Sequence, residues 1–278
     1  MRSIPFFKYQ ALGNDFVLFD SATLTIHGVT SSEAQAAFAI RVCDRHIGIG
    51  SDGMLVVDND KIVFFNPDGT LDQCGNGIRA SALHLFRQKK FSEKTFQTQG
   101  GSVVVVACAD LDEGGRQCFS ARHTIIALPK KMSVEIPGHD RLEGYLVDMG
   151  TPHFCVPAIS FTPMLGALLE HAAAFAQPVT VDFLATDRLH EGVISLRIWE
   201  RSVGETLGCG TGAMAAALTA AFIYEASQQQ ERLTWTVHSP GGVLSVKLNK
   251  DAAGIVRTAD LIGTAEFVFS GNFFHANT

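Results

Sequence analysis

The chain has 278 residues, 46% of them hydrophobic, and a formal net charge of −6, so it can bury a sizeable core and is long enough for two domains. No block of Lys or Arg marks a nucleic-acid or anionic-membrane footprint, and the longest apolar stretch, Ala213 to Tyr224, is too short to cross a bilayer. The opening "MRSIPFFKYQALGND" lacks the continuous apolar core and small-residue cleavage site of a secretory signal, which predicts a cytosolic protein.

In chain order, "ALGNDFVLFD" (11 to 20) reads as a Gly turn, a polar residue and an apolar strand. "KIVFFNPDGTLDQ" is a strand-like run followed by a polar turn, and it leads into "DQCGNG" (72 to 77). "IRASALHLF" then reads as a buried helix, and "QGGSVVVV" (99 to 106) as a Gly-Gly turn opening a β-rich strand. Past the polar stretch "ADLDEGGRQ" (109 to 117) the series begins again: "DMGTPHFCVP" (148 to 157), "SLRIWERSVGETLG", "LGCGTG" (207 to 212), the apolar "AMAAALTAAFIY" and "PGGVLSVKL" (240 to 248). Asn66 and Arg201 each stand eight positions before a Cys, Gly69 and Gly204 five before it, and both cysteines open a Gly-x-Gly-x-x-Ala turn.

Four matched elements in one order predict an internal duplication. The expected fold class is α/β in the broad sense (α+β): two pseudo-symmetric halves, each a mixed, mostly antiparallel sheet around a central helix, with a parallel sheet as the alternative. The expected division is 1–115, completed by a C-terminal strand at about 264–278, and 116–263, with the seam inside 109–117.

The six cysteines (43, 74, 108, 118, 155, 209) lack a CxxC pair and regular spacing, so they fit neither a disulfide framework nor a zinc site. Cys43, Cys108, Cys118 and Cys155 read as core filler. Cys74 and Cys209 differ because each stands at the start of a helix, where unpaired N–H groups and the helix dipole favour an anion. A thiolate or a substrate carboxylate can be held there. Two such mouths facing one substrate suit inversion of a stereocentre: one thiolate takes the α-proton while the opposite thiol delivers a proton to the other face. The helix dipole supplies about 0.3 to 2 kcal/mol, so desolvation and direct hydrogen bonds must stabilise most of the developing charge.

On "LGNDF", "DRHIGIGSDG", "FNPDG…QCGNG", "MGTPH", "WERSVGET…CGTGA" and the "PGG" strand, the chain resembles the diaminopimelate epimerases over nearly its whole length. That resemblance implies two α/β halves closing over substrate, with the last strand returning to the first half. It also implies interconversion of LL- and meso-diaminopimelate for lysine and peptidoglycan synthesis, no cofactor, no metal, and a homodimer. Residue by residue, it makes Cys74 and Cys209 the catalytic thiols and Gly75, Asn76, Gly210 and Thr211 the helix-mouth positions for the α-carboxylate. Asn14, His153 and Glu200 fall near the reacting amine, and Asn66 and Arg201 at the distal end, where Arg201 offers a two-point pair. Thr151 and Thr180 stand where the family usually has Asn, so a looser distal clamp and some turnover of glutamate are expected.

Other readings compete. His153 also fits an ordinary hydrogen-bonded core histidine, and Arg201 a structural ion pair. The two Gly-x-Gly-x-x-Ala turns fit a nucleotide-binding protein, but polar residues separate "VFF" from Cys74 where a dinucleotide fingerprint runs its strand straight into the first Gly. A cysteine hydrolase using Cys74 and His153 leaves the second Cys block without a purpose. A silent carboxylate binder would bind ligand without exchanging deuterium.

Overall fold

Residues 2–111, 116–136, 141–157, 160–228 and 230–275 are described by the computed structural model. They form two compact units, Met1–Ala121 with Gly263–Thr278, and Arg122–Ile262. Part of the expected seam, 112–115, and the last residues of the expected C-terminal strand, 276–278, lie outside the described residues.

The first unit runs β1 (Arg2–Ala11), β2 (Asn14–Asp20), α1 (Ser21–Ile26), α2 (Ser32–Cys43), β3 (Gly53–Asp58), β4 (Lys61–Phe65), β5 (Leu71–Asp72), α3 (Gly75–Gln88), β6 (Glu93–Thr98), β7 (Gly101–Leu111) and most of β8 (Gln117–Thr124). The second holds β9 (Ala127–Val134), β10 (Leu142–Asp148), β11 (Pro152–Pro157), α4 (Pro163–Glu170), β12 (Thr180–Ala185), β13 (Val193–Glu200), β14 (Gly204–Thr206), α5 (Gly210–Gln228), β15 (Thr234–Ser239) and β16 (Gly242–Lys250). The long β17 (Val256–His275) begins in the second unit and ends in the first.

The pairing pattern repeats. In the first unit β1–β2, β3–β4, β4–β5 and β6–β7 are antiparallel, while β2–β3 and β4–β6 are parallel. In the second, β10–β11, β12–β13, β13–β14 and β15–β16 are antiparallel, while β11–β12 and β13–β15 are parallel. The halves are therefore pseudo-symmetric, with mixed, mostly antiparallel sheets.

Period-two alternation decides what faces what. In β2 and β3, Val17, Phe19, Met54 and Val56 pack with Phe38 and Val42 of α2, whereas Phe16, Leu18, Leu55 and Val57 pack with Ile78 and Leu83 of α3. In the second unit Phe154, Val156, Val181 and Phe183 pack with Leu165 and Leu169 of α4. The intervening residues of β11 and β12 then turn toward α5. α5 is apolar almost all round and buried over most of its first ten residues, as a helix enclosed by its own sheet must be.

Tight turns set the polar residues at the strand ends. β1 and β2 are joined through Leu12 (φ 58) and Gly13 (φ 78), the paired positive angles of a two-residue hairpin turn, which places Asn14 at the start of β2. Gly69 (φ 83) and Gly204 (φ 102), the matched glycines five positions before each thiol, both occupy the left-handed region.

Candidate active site

Both thiols serve their helices in the same way. Cys74 has extended backbone (φ −130, ψ 109), its Sγ accepts the Gly77 N–H at 3.3 Å, and its carbonyl accepts the Ile78 N–H. Cys209 Sγ accepts the Gly212 N–H at 3.4 Å, and its carbonyl accepts the Ala213 N–H. A sulfur thus stands where Ser or Asp usually caps a helix. Both cysteines are half-buried. Among the described residues, the N–H groups of Gly210 and Thr211 have no hydrogen-bond partner, which leaves them directed at the space beyond the helix mouth.

In the first unit an amide relay lies beside Cys74. Asn76 Nδ2 donates to Asn14 Oδ1 at 3.1 Å, and Asn14 Nδ2 donates to Asp52 Oδ2 at 2.8 Å. Asp52 is held by Arg45 at 2.6 Å, which also pairs with Asp15 at 2.7 Å. The relay fixes which end of the Asn14 amide is oxygen, because its nitrogen must face a carboxylate. Behind the relay, the guanidinium of fully buried Arg79 donates to Asn76 Oδ1. Burial pulls Arg79 down to about 10, against the opposing influence of Cys74 and Cys118, so it remains a cation at neutral pH. Asn66 is not tied to this relay: its amide donates to Thr70 Oγ1 within the β4–β5 turn.

In the second unit the side chains around Cys209 are acidic. His153 Nδ1 lies 2.7 Å from Asp182 Oδ2, and both residues are fully buried. The carboxylate accepts there, so Nδ1 carries a proton, and Nε2 lies 3.2 Å from Thr151 Oγ1. The histidine is fully buried and hydrogen-bonded on both ring nitrogens, which the reading as a hydrogen-bonded core histidine also allows. Glu200 accepts from Thr206 Oγ1 at 2.6 Å. Burial raises the Glu200 carboxyl, against the lowering influence of Thr206, His153 and Cys209. The Cys209 thiol is pushed well above its usual range by burial first, then by Glu200 and Asp182, while the Thr211 hydroxyl and Gly212 N–H oppose this.

Arg201 follows Glu200 at a strained turn. Its own N–H donates to Thr180 Oγ1 at 3.3 Å, and Ser202 adopts φ 63. Buried Glu170 braces the turn by accepting from Ser202 N–H and Trp199 Nε1, each at 2.8 Å. Among the described residues the Arg201 guanidinium has no carboxylate partner.

Asn14 and Asn76 are thus tied together beside Cys74, Thr151 and His153 are tied to Asp182, and Thr180 is tied to the Arg201 backbone, while Asn66 stands apart in its own turn. Sequence reading missed Arg79, Asp182, Thr206, Glu170 and the Asp52–Arg45 pair. Arg45 and Asp52 lie within the quoted "DRHIGIGSDG" and Thr206 within "WERSVGET", Arg79 is the lone charge in the Ala-rich run "IRASALHLF", and Asp182 lies two residues after Thr180, on the same strand face. A separate open cleft in the second unit, lined by Phe161, Phe183, Arg197 and His238, holds none of the predicted residues. A dinucleotide fingerprint finds no support, because the two-residue, exposed β5 rather than a buried strand feeds α3.

The same duplicated frame occurs in solved structures. The Bacillus anthracis phenazine biosynthesis protein of the PhzF family has TM-score 0.70 at 16% identity, covering 99% of this chain and 100% of that one. A probable proline racemase from Agrobacterium radiobacter has TM-score 0.65 at 14% identity, covering 96% and 92%. The fold is therefore that of the PhzF and proline racemase proteins, here with a cysteine at each helix mouth. Within that class the diaminopimelate epimerase model matches residues 6–116 and 145–267. Diaminopimelate epimerases of Elusimicrobium minutum and a Synechocystis species are 34% and 32% identical, each over 97% of this chain and 99% and 98% of their own length. The chain belongs to the diaminopimelate epimerase family.

Proposed function

We propose that this protein interconverts LL- and meso-diaminopimelate, serving lysine and peptidoglycan precursor synthesis, with Cys74 and Cys209 acting on opposite faces of one α-carbon. The observation that carries the reading is the doubled sulfur cap, one at the mouth of α3 and one at the mouth of α5, in a chain of this family. Each half, 1–115 with 264–278 and 116–263, lends one thiol.

One sulfur leaves as thiolate and returns as thiol, the other does the reverse, and the α-carbon passes through a carbanion. Gly75, Asn76, Gly210 and Thr211 present backbone N–H groups to the α-carboxylate, on which charge develops. Glu200 and His153 face the amine, with Asn14 beside them, and Arg201 takes the distal carboxylate with Asn66. Proton transfer between two thiols and carbon requires neither cofactor nor metal. Incubating each isomer in deuterated water without added cofactor tests the reading: α-deuterium uptake accompanied by epimer formation is expected, and absence of both rejects it.

A second reading adds turnover of glutamate. Thr151 Oγ1 lies 3.2 Å from His153 Nε2 and Thr180 Oγ1 accepts the Arg201 N–H, and each hydroxyl is shorter than the amide expected at the distal end. Comparing kcat/KM for diaminopimelate, glutamate and aspartate tests this, and undetectable glutamate turnover removes it.

We also infer a cytosolic homodimer, on the family resemblance. Among the described residues no helix is long and apolar enough to cross a membrane. Sizing at micromolar concentration tests the dimer.

A further inference from the structure

The two sulfur caps are alike in backbone and opposite in what lies behind them. Three residues past each Cys is a glycine in a tight place: a Cβ on Gly77 would meet Leu55 Cδ2 at 3.0 Å, whereas one on Gly212 would meet Asp182 Oδ1 at 2.5 Å. Five residues past Cys74 stands Arg79, and five past Cys209 stands Met214. A buried cation on Asn76 therefore lies in the turn after the first thiol, and a buried carboxylate lies against the glycine that the second thiol caps.

Neither ion is neutralised by a full set of partners. Arg79 spends one nitrogen on Asn76 Oδ1, while its Nε and Nη1 are buried with no hydrogen-bond partner among the described residues. Asp182 spends Oδ2 on His153 and on the Cys155 thiol at 3.9 Å, while its Oδ1, the oxygen facing Gly212, is buried with no hydrogen-bond partner among the described residues. Leaving such atoms unmet in a core is costly, and a charge in a low-dielectric surround acts strongly on the nearest titrating group.

We propose that Arg79 and Asp182 are positioning residues that make the two thiols unlike at rest: Cys74 is held as the thiolate beside a buried guanidinium, and Cys209 as the protonated thiol in front of a buried carboxylate. This rests on the two-thiol function proposed above and adds which sulfur begins as the base. The free enzyme is then poised for the isomer whose α-hydrogen faces Cys74. Cys74 takes that proton, Cys209 gives its own to the other face, and one proton must pass from Cys74 back to Cys209 through solvent before the next such turnover. The groups facing Cys209 are Glu200 from β13, Asp182 from β12 and Thr211 from its own helix, with His153 and Cys155 of β11 on the far side of Asp182. Those facing Arg79 are Cys74 and Asn76 of its own helix and Cys118 of β8. The upward push of burial, Glu200 and Asp182 on the Cys209 thiol agrees with this assignment.

The test is alkylation of the full-length protein with iodoacetamide across a pH series, with each cysteine followed separately by peptide mass spectrometry. The pH midpoint of each site reports its thiolate fraction independently of how accessible the sulfur is. Cys74 is expected to have a midpoint more than about one pH unit below that of Cys209; coincident or reversed midpoints overturn the proposal. Asp182→Asn should lower the Cys209 midpoint and leave Cys74 unmoved, while Asp182→Glu, which keeps the charge, stays near wild type. Arg79→Met, which installs the residue of the equivalent position, should raise the Cys74 midpoint, and Arg79→Lys should restore it. A folded Asp182→Asn or Arg79→Met protein with an unmoved midpoint overturns that residue's part, and if one variant fails to fold the other still decides. Alkylation needs no turnover, so the two readings fail separately. Split midpoints without epimerisation reject only the function, and epimerisation with coincident midpoints rejects only this inference.

Discussion

The mouth of α3 and the mouth of α5 are copies in geometry and opposites in chemistry. Both have a cysteine capping the first turn, a glycine pressed against the layer beneath, and a left-handed glycine five residues upstream. Around Cys74 lie amides and a part-buried ion cluster of Lys8, Asp15, Arg45 and Asp52, with Arg79 behind. Around Cys209 lie Glu200, Asp182 and a sealed imidazole. The lesson is that backbone placement of a catalytic atom and its electrostatic setting are separable. Turn glycines and strand alternation preserve the first, whereas a few buried side chains rewrite the second.

The hardest test of the likeness is deletion of each sulfur. Cys74→Ala and Cys209→Ala should each lower kcat for epimerisation by about 10²- to 10⁴-fold. A variant of either kind that epimerises at the wild-type rate breaks the two-base reading. Next comes the distal anchor. Arg201→Met should cost about tenfold to a hundredfold in kcat/KM for diaminopimelate, corresponding to about 1.5–3 kcal/mol for a charge-assisted pair. It should leave the melting temperature unchanged, because Arg201 has no carboxylate partner among the described residues; a large stability loss would contradict that.

The packing difference is sharpened by adding one methyl group to each mouth. Gly212→Ala should destabilise by about 1–3 kcal/mol more than Gly77→Ala, because Leu55 can rotate its methyl aside while Asp182 is pinned by His153. Equal losses in chemical denaturation would show that the carboxylate is not fixed.

The smallest expected effects concern acid stability and have opposite signs in the two units. Lys8 and Arg45 hold Asp15 down to about 2 despite its burial, so its contribution is present above the unfolded value of 3.8 and disappears as pH falls toward 2. Because the site is partly solvated this amounts to less than about 1 kcal/mol, and Asp15→Asn should remove it. Glu200 is raised instead, so its ionisation works against the fold, and the stability it lends falls as pH rises from 4.5 toward its folded value. Glu200→Gln should flatten that slope. Denaturation at pH 3, 5 and 7 separates the two, and slopes of the same sign would refute the contrast.

The polypeptide alone made the repeat legible. The positions of Cys74 and Cys209, the glycines around them and the Asn66–Arg201 register are local and periodic, and the turns they specify form through nearest-neighbour geometry. The polar residues of β11, β12 and β13 were legible only in part. His153 and Glu200 belonged to quoted motifs, but the partner that orients His153, and the Glu170 brace under the Arg201 turn, come from segments far away in sequence. Whether Asp182 points at a helix mouth or into water depends on which strand neighbours β11 and which face meets α5, and pairwise spacing along one chain does not encode that. Sequence by itself determined where two sulfurs cap two helices. Tertiary structure alone decided the sign of the charge buried behind each, because burial and Coulomb interaction depend on distance through space.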